Sequence, residues 1–246
     1  MQDLLGKTAL VTGGSRGMGA ATARALAARG ADVAITYVNA EEKAQEVVRD
    51  AERAGRRALA VQADNVDREA VVNAVHETAR AFGGLDILVN NAGIFAYGPP
   101  EAVTTEEIDR MLAIHVRAVF LASQAALGYM KAGGRIISIG SSLAWRVPGP
   151  GFTLYAASKS ALIGFTKGLA RDVGARGITV NVVDPGSTDT DMNPADREGA
   201  DNERAFMALG TYGRPEDVAS MIVHLAGEGG RGITGASIAI DGGVTA

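Results

Sequence analysis

The chain has 246 residues, 47% of them hydrophobic, and a formal charge of −4; that is enough to bury one large core, and it excludes a basic surface for a nucleic-acid partner. It has no cysteine, which excludes disulfides and thiolate metal sites, and His76, His115 and His224 are too dispersed to suggest a metal cluster, so any redox chemistry must come from a bound cofactor. The opening Met1-Gln2-Asp3-Leu4-Leu5-Gly6 has no basic leader and no long apolar helix follows, so a cytoplasmic protein with no membrane partner is expected. Along the chain, Thr8 to Thr12 is a short apolar run ending at glycines, Ala20 to Arg29 is helical, and Gly30 stops it. Asp32 to Tyr37 reads as a strand, Ala40 to Ala54 as an amphipathic helix closed by Gly55, Ala58 to Ala63 as a strand and Val66 to Arg80 as a helix. Further strands are predicted at Leu85 to Asn90, Arg135 to Gly140, Ile178 to Val183 and Ser237 to Asp241. Seven strands alternating with helices predict an α/β fold: one Rossmann-type, doubly wound domain over residues 1–246, its seven-stranded parallel sheet flanked by helices and its ligand site at the carboxyl ends of the strands.

After the first strand comes Thr12-Gly13-Gly14-Ser15-Arg16-Gly17-Met18-Gly19, at the start of a helix. Glycines there permit a tight turn and let backbone N–H groups approach a pyrophosphate at the helix N-terminus. The end of the second strand, where an acidic residue would select NAD, reads Thr36-Tyr37-Val38-Asn39 without a carboxylate. Arg16 supplies a cation for a 2′-phosphate, so NADP(H) is the expected cofactor, although a lone arginine also suits a plain surface position. Asp64 either receives the adenine amino group, beside Asn65, or caps the helix that follows.

Tyr155 and Lys159 are four residues apart and share one face of a helix. The strand ending Ile137-Ser138-Ile139-Gly140 leads into Ser141-Ser142 at the same sheet edge, so a hydroxyl, a phenol and an ammonium can converge. A phenol with a pKa of about 10 is poorly matched to proton transfer near neutrality, and a nearby lysine cation and a nicotinamide cation are expected to stabilise its phenolate.

With these residues the chain resembles the short-chain dehydrogenase/reductase family over essentially its whole length, and within it the 3-oxoacyl-[acyl-carrier-protein] reductase-like branch. The resemblance rests on the glycine run Thr12 to Gly19, on Asn90-Asn91-Ala92-Gly93, on Ser141, Tyr155 and Lys159, on Pro185-Gly186 and on Asp241-Gly242-Gly243. It implies hydride transfer to a carbonyl with Tyr155 as proton donor, Ser141 (or, as runner-up, Ser142) polarising the carbonyl oxygen, and Lys159 holding the nicotinamide ribose. The cofactor contacts then expected are Gly13, Ser15, Arg16, Gly17, Met18, Gly19, Tyr37, Asn39, Asp64, Asn65, Asn91, Ala92, Gly93, Tyr155, Lys159, Pro185, Gly186, Thr188 and Thr190. One position departs from the family pattern: His115 stands where an asparagine usually anchors a proton relay. It is counted among the catalytic residues because a histidine can sustain the relay, make it pH-sensitive or interrupt it; the alternative is a satisfied core histidine.

Residues 186–210 are long for a connection and are expected to form a substrate lid. Phe95, Trp145 and Phe152 are the candidates for an apolar ketone pocket, with Tyr97, Pro148 and Pro150 nearby. The resemblance implies a homotetramer or homodimer. Two other readings remain: a nucleotide-binding regulator with little turnover, and an NAD-dependent alcohol oxidiser, against which the missing acidic residue speaks.

Overall fold

The computed structural model describes residues 2–246. Its strands are β1 (Thr8–Val11), β2 (Asp32–Tyr37), β3 (Ala58–Gln62), β4 (Ile87–Asn90), β5 (Arg135–Ile139), β6 (Thr179–Pro185) and β7 (Ser237–Ile240). Its helices are α1 (Gly17–Ala28), α2 (Glu41–Arg53), α3 (Arg68–Phe82), α4 (Thr105–Leu112), α5 (Ala118–Leu127), α6 (Thr153–Val173), α7 (Ala200–Arg204) and α8 (Pro215–Ala226). All seven strands pair in parallel in the order β3-β2-β1-β4-β5-β6-β7. The direction of winding therefore reverses between β1 and β4, and a crevice opens at their carboxyl ends.

Alternation along the strands splits the core in two. Val33, Ile35, Ile87, Val89, Ile137 and Ile139 face α1 and α8, while Leu10, Ala34, Leu88, Ile136 and Val180 face α3 and α5. Both faces being covered is why these strands read as unbroken apolar runs. Away from the crevice, at the start of β2, buried Asp32 pairs with Arg56 and Arg57 at 2.7 Å each. No helix among the described residues is long and apolar enough to cross a membrane.

Two local features differ from the sequence reading. Helix α3 begins at Arg68 and its cap is Asp67, whose Oδ1 accepts the N–H groups of Glu69 and Ala70 at 2.8 and 3.1 Å. The Asp64 side chain accepts the Val66 N–H and its carbonyl the Asp67 N–H, both at 3.0 Å, so Asp64 closes a turn ahead of the helix instead of capping it. Between α4 and α5 the rod passes through a π turn, Ala113–Arg117, and His115 in this turn points into the protein with 1% of its surface exposed. Such a widened turn rotates a single side chain out of helical register, which is why π turns gather at functional sites.

Candidate active site

The glycine loop is braced by its neighbours. Thr36 of β2 accepts the Gly13 N–H through its hydroxyl and the Gly14 N–H through its carbonyl, both at 2.9 Å. Thr12 Oγ1 accepts the N–H groups of Asn91 and Ala92 at 3.0 and 3.1 Å, and the Asn91 amide donates to the carbonyls of Thr12 and Gly13 at 2.8 and 3.0 Å. The Asn91 side chain is thus spent on tying β4 to the loop, which leaves its backbone and that of Ala92 and Gly93 to line the crevice. A Cβ at Gly19 would collide with the Gly13 carbonyl and the Asn91 amide, so the helix can approach the loop only with glycine there. The N-terminus of α1 has no side-chain cap and no acidic residue in its first turn. Free N–H groups at the positive end of a helix, beside a glycine cradle, fit a pyrophosphate.

At the outer end of this crevice Arg16 is exposed, and Lys43 of α2 reaches across to Asp191 of the 186–210 segment at 2.7 Å. Lys43, and Arg16 beside it, hold the Asp191 carboxyl below its ordinary range. Two cations, Arg16 and Lys43, therefore stand close to Asp191, and Lys43 is one that the sequence did not single out. Tyr37 is buried within the core cluster beneath α1 and α2, while Asn39 and Asp64 are exposed and Asn65 is buried.

Ser141, Tyr155 and Lys159 come together at the carboxyl ends of β5 and β6. The Ser141 hydroxyl stands beside the Tyr155 phenol: burial pushes the phenol up to about 12, and the serine opposes the rise. The phenol thus lies above its ordinary value. Lys159 Nζ is 5.8 Å from the Tyr155 ring centre and donates to the Ile139 carbonyl at 2.8 Å. Burial lowers Lys159 to about 8, against the charge of Asp184, which raises it. Ser142 starts the short turn Ser142–Ala144; of the two serines, Ser141 is the one that meets the phenol.

His115 has both ring nitrogens engaged. Nε2 accepts the Ile94 N–H at 3.0 Å, and since a backbone N–H can only donate, the ring proton is on Nδ1, 2.8 Å from Ser158 Oγ. Ser158 in turn donates to the Tyr155 carbonyl at 2.7 Å. Burial and the Lys159 charge lower His115 to about 2, with the Ile94 bond opposing, so the ring is neutral and the pH-sensitive relay drops out. The ring packs edge-on to Tyr155, 5.7 Å between centres.

Phe95 lies 5.0 Å from the Tyr155 ring and 6.3 Å from Phe152, which meets Tyr97 at 5.0 Å. These rings form an apolar wall beside the phenol, and Trp145, 55% exposed, stands beyond Ser141. In the 186–210 segment Thr188 is buried and Thr190 lies against Gly17 at the N-terminus of α1. Pro185 ends β6, and Gly186 passes so close to Asp241 that a Cβ would meet its backbone at 2.8 Å.

Comparison with known proteins agrees with this geometry. The family model described as enoyl-(acyl carrier protein) reductase matches residues 13–245. A short-chain dehydrogenase from Burkholderia cenocepacia, solved in complex with NADP, is 60% identical with a TM-score of 0.98, covering 99% of this chain and 100% of that one. A blue fluorescent protein from a metagenomic library, solved with NADPH, is 55% identical with a TM-score of 0.98 and complete coverage of both chains. A cyclic-di-GMP-binding biofilm dispersal mediator protein of Escherichia coli is 45% identical over 242 residues, 98% of each chain. The crevice at the β1–β4 switch point, the joined Ser141, Tyr155 and Lys159, and a family match over nearly the whole length lead to one assignment: the chain belongs to the short-chain dehydrogenase/reductase family.

Proposed function

We propose that this protein is an NADPH-dependent reductase that converts a ketone or 3-oxoacyl group to the alcohol, with Tyr155 as general acid. The observation that carries the reading is the convergence of the Ser141 hydroxyl and the Tyr155 phenol beside an apolar wall, with the Lys159 ammonium behind them. When bound, NADPH supplies the hydride that adds to the carbonyl carbon. The residues of the chain manage the oxygen. Ser141 donates a hydrogen bond to it, and Tyr155 Oη gives up its proton to the developing alkoxide, so that the products are the alcohol and a phenolate that takes its proton back from solvent. A phenol at about 12 keeps its proton through the neutral range, as an acid in the reductive direction requires. Lys159 places a cation near the ribose and the phenolate. Asn91, Ala92, Gly93 and the glycine loop hold the cofactor, with Arg16 and Lys43 toward its 2′-phosphate, and two relatives solved with NADP or NADPH support that choice. His115 acts as a neutral bridge between the Ile94 loop and α6. Residues 186–210 serve as the lid, and Phe95, Trp145 and Phe152 line the pocket.

The test is NADPH consumption with a panel of ketones, a 3-oxoacyl thioester and an enoyl thioester, for the parent protein and for Tyr155→Phe, with NADH alongside. Carbonyl turnover that falls by about 10²- to 10⁴-fold in the variant is the expected result. Turnover of the enoyl thioester alone would move the reading to double-bond reduction. The comparisons do not favour the alternative reading, a nucleotide-binding regulator with little turnover; NADPH binding with no turnover of any substrate is the outcome that would select it.

The same reading makes the protein a homotetramer or homodimer through α5 and α6, where Phe120 is 56% exposed and packs against Phe165 at 5.6 Å. Sedimentation at a monomer mass would remove that part. A chain without cysteine that draws on NADPH suits the cytoplasm.

A further inference from the structure

Asp184 lies on β6 with none of its surface exposed, and the reaction proposed above gives it no part. A buried carboxylate is costly unless its oxygens are matched, and all of its partners are donors. Oδ1 accepts the Ser141 N–H at 3.1 Å and Oδ2 the Trp145 indole N–H at 3.0 Å, and Oδ2 also takes the Ser237 hydroxyl of β7. Neither N–H group can accept, so both oxygens serve as acceptors, which is how an ionised carboxylate behaves. The main chain is shaped around it. A Cβ on Gly140 would run into Asp184 Oδ1 and the Val182 side chain, so the glycine before Ser141 lets the carboxylate reach beneath the loop.

We propose that Asp184 is a positioning residue that ties two parts of the active site, the Ser141 main chain and the Trp145 wall of the pocket, to one buried carboxylate. The Ser142–Ala144 turn between them is otherwise held by its own short-range bonds, among them the Leu143 N–H to the Ser141 hydroxyl at 3.1 Å, and by the Ser160 hydroxyl of α6, which donates to the Ala144 carbonyl at 3.3 Å. Anchoring both ends of that turn on β6 fixes the hydroxyl and the indole relative to one another and to the sheet. Hydrogen bonds of this outer kind set the precision of the groups that touch substrate. The roles of Ser141 and Trp145 rest on the reductase reading, while the tether itself can be measured without turnover.

Trp145 is the only tryptophan, so its fluorescence reports the tether in the free protein. In Asp184→Ala the anisotropy of that emission should fall and its quenching by acrylamide rise. With substrate, kcat should drop by about 10- to 100-fold while the NADPH Kd stays within about threefold. Gly140→Ala should reproduce both effects by crowding the carboxylate out. Asp184→Asn keeps the volume and offers one acceptor; the buried Ser141 N–H takes it, because a half-exposed indole can turn to water. Trp145 then loosens as in the alanine variant, while kcat returns to within about fivefold of the parent. This variant also serves if Asp184→Ala does not fold. Unchanged anisotropy and quenching in either folded variant would overturn the proposal, as would NADPH binding lost in step with kcat. A parent protein that turns over no carbonyl would remove the reductase reading and leave the fluorescence to decide the tether.

Discussion

His115 Nδ1 stands 2.8 Å from the Ser158 hydroxyl, and together with the Ile94 N–H that Nε2 accepts at 3.0 Å this bond joins the loop after β4 to the helix that carries Tyr155 and Lys159. The ring is neutral because burial and the Lys159 charge hold it down to about 2, with the Ile94 bond opposing. His115→Asn should therefore leave the shape of the pH–rate profile between pH 5 and pH 9 unchanged; an acid limb present in the parent and absent from the variant would refute the neutral bridge.

Stability carries the opposite signature. An unfolded histidine takes up a proton near pH 6.5 and the folded one does not, so His115 contributes stability that is complete above that value and is lost as the pH falls toward 2. The loss runs at about 1.4 kcal/mol per pH unit. Urea unfolding at pH 7 and pH 5 should show the parent losing about 2 kcal/mol more than His115→Asn over that interval.

Lys159 makes the alkaline limb. Burial lowers its ammonium to about 8 against the raising effect of Asp184, and Tyr155 at about 12 stays protonated well beyond that. Since kcat/KM reports groups of the free enzyme, it should decline as the pH rises through about 8 in the parent. In Lys159→Arg, whose cation does not titrate, whatever activity remains should lack this limb.

The roles proposed for Arg16 and Lys43 predict discrimination between the cofactors. Removing one charge-assisted contact to a phosphate costs about tenfold in affinity, or about 1.4 kcal/mol. Arg16→Ala should raise the KM for NADPH by about that factor and leave the KM for NADH within about twofold. Equal changes for both cofactors would place the arginine away from the 2′-phosphate.

Asp32 separates stability from activity. Its carboxyl is raised by burial but lowered overall by Arg57 and Arg56, and it lies at the far end of the sheet from the crevice. Asp32→Asn should cost about 2 kcal/mol of unfolding free energy, between the values of exposed and buried pairs, with kcat unchanged. Because this carboxyl is depressed, its contribution holds at neutral pH and fades as the pH falls below the usual carboxylate range.

Much of this molecule was legible before it was folded. All seven strands form within a few residues of their predicted ends, because apolar runs bounded by glycine leave few alternatives once both sheet faces are covered. Helical spacing puts Tyr155 and Lys159 on one face, and the family resemblance singles the pair out. What the sequence left open or passed over has local causes. Asp64 and Asp67 both precede α3 and both suit a cap, and only the start of the helix at Arg68 decides between them. Asn91 carries a side chain suited to a ligand, yet its amide is spent on Thr12 and Gly13. Lys43 reads as one charge among several on α2 until the fold brings Asp191, far along the chain, against it.

The sequence by itself determined the parallel sheet and the glycine cradle, which depend on periodicity and on spacing between near neighbours, while the serine, tyrosine and lysine were picked out by the family resemblance that their motifs carry. The tertiary structure alone decided the state of each group. Whether His115 titrates, whether Tyr155 rises or falls, and what Asp184 holds depend on burial and on donors from elements distant in sequence. The free energy of a buried charge or polar atom is set by the partners that the fold brings to it.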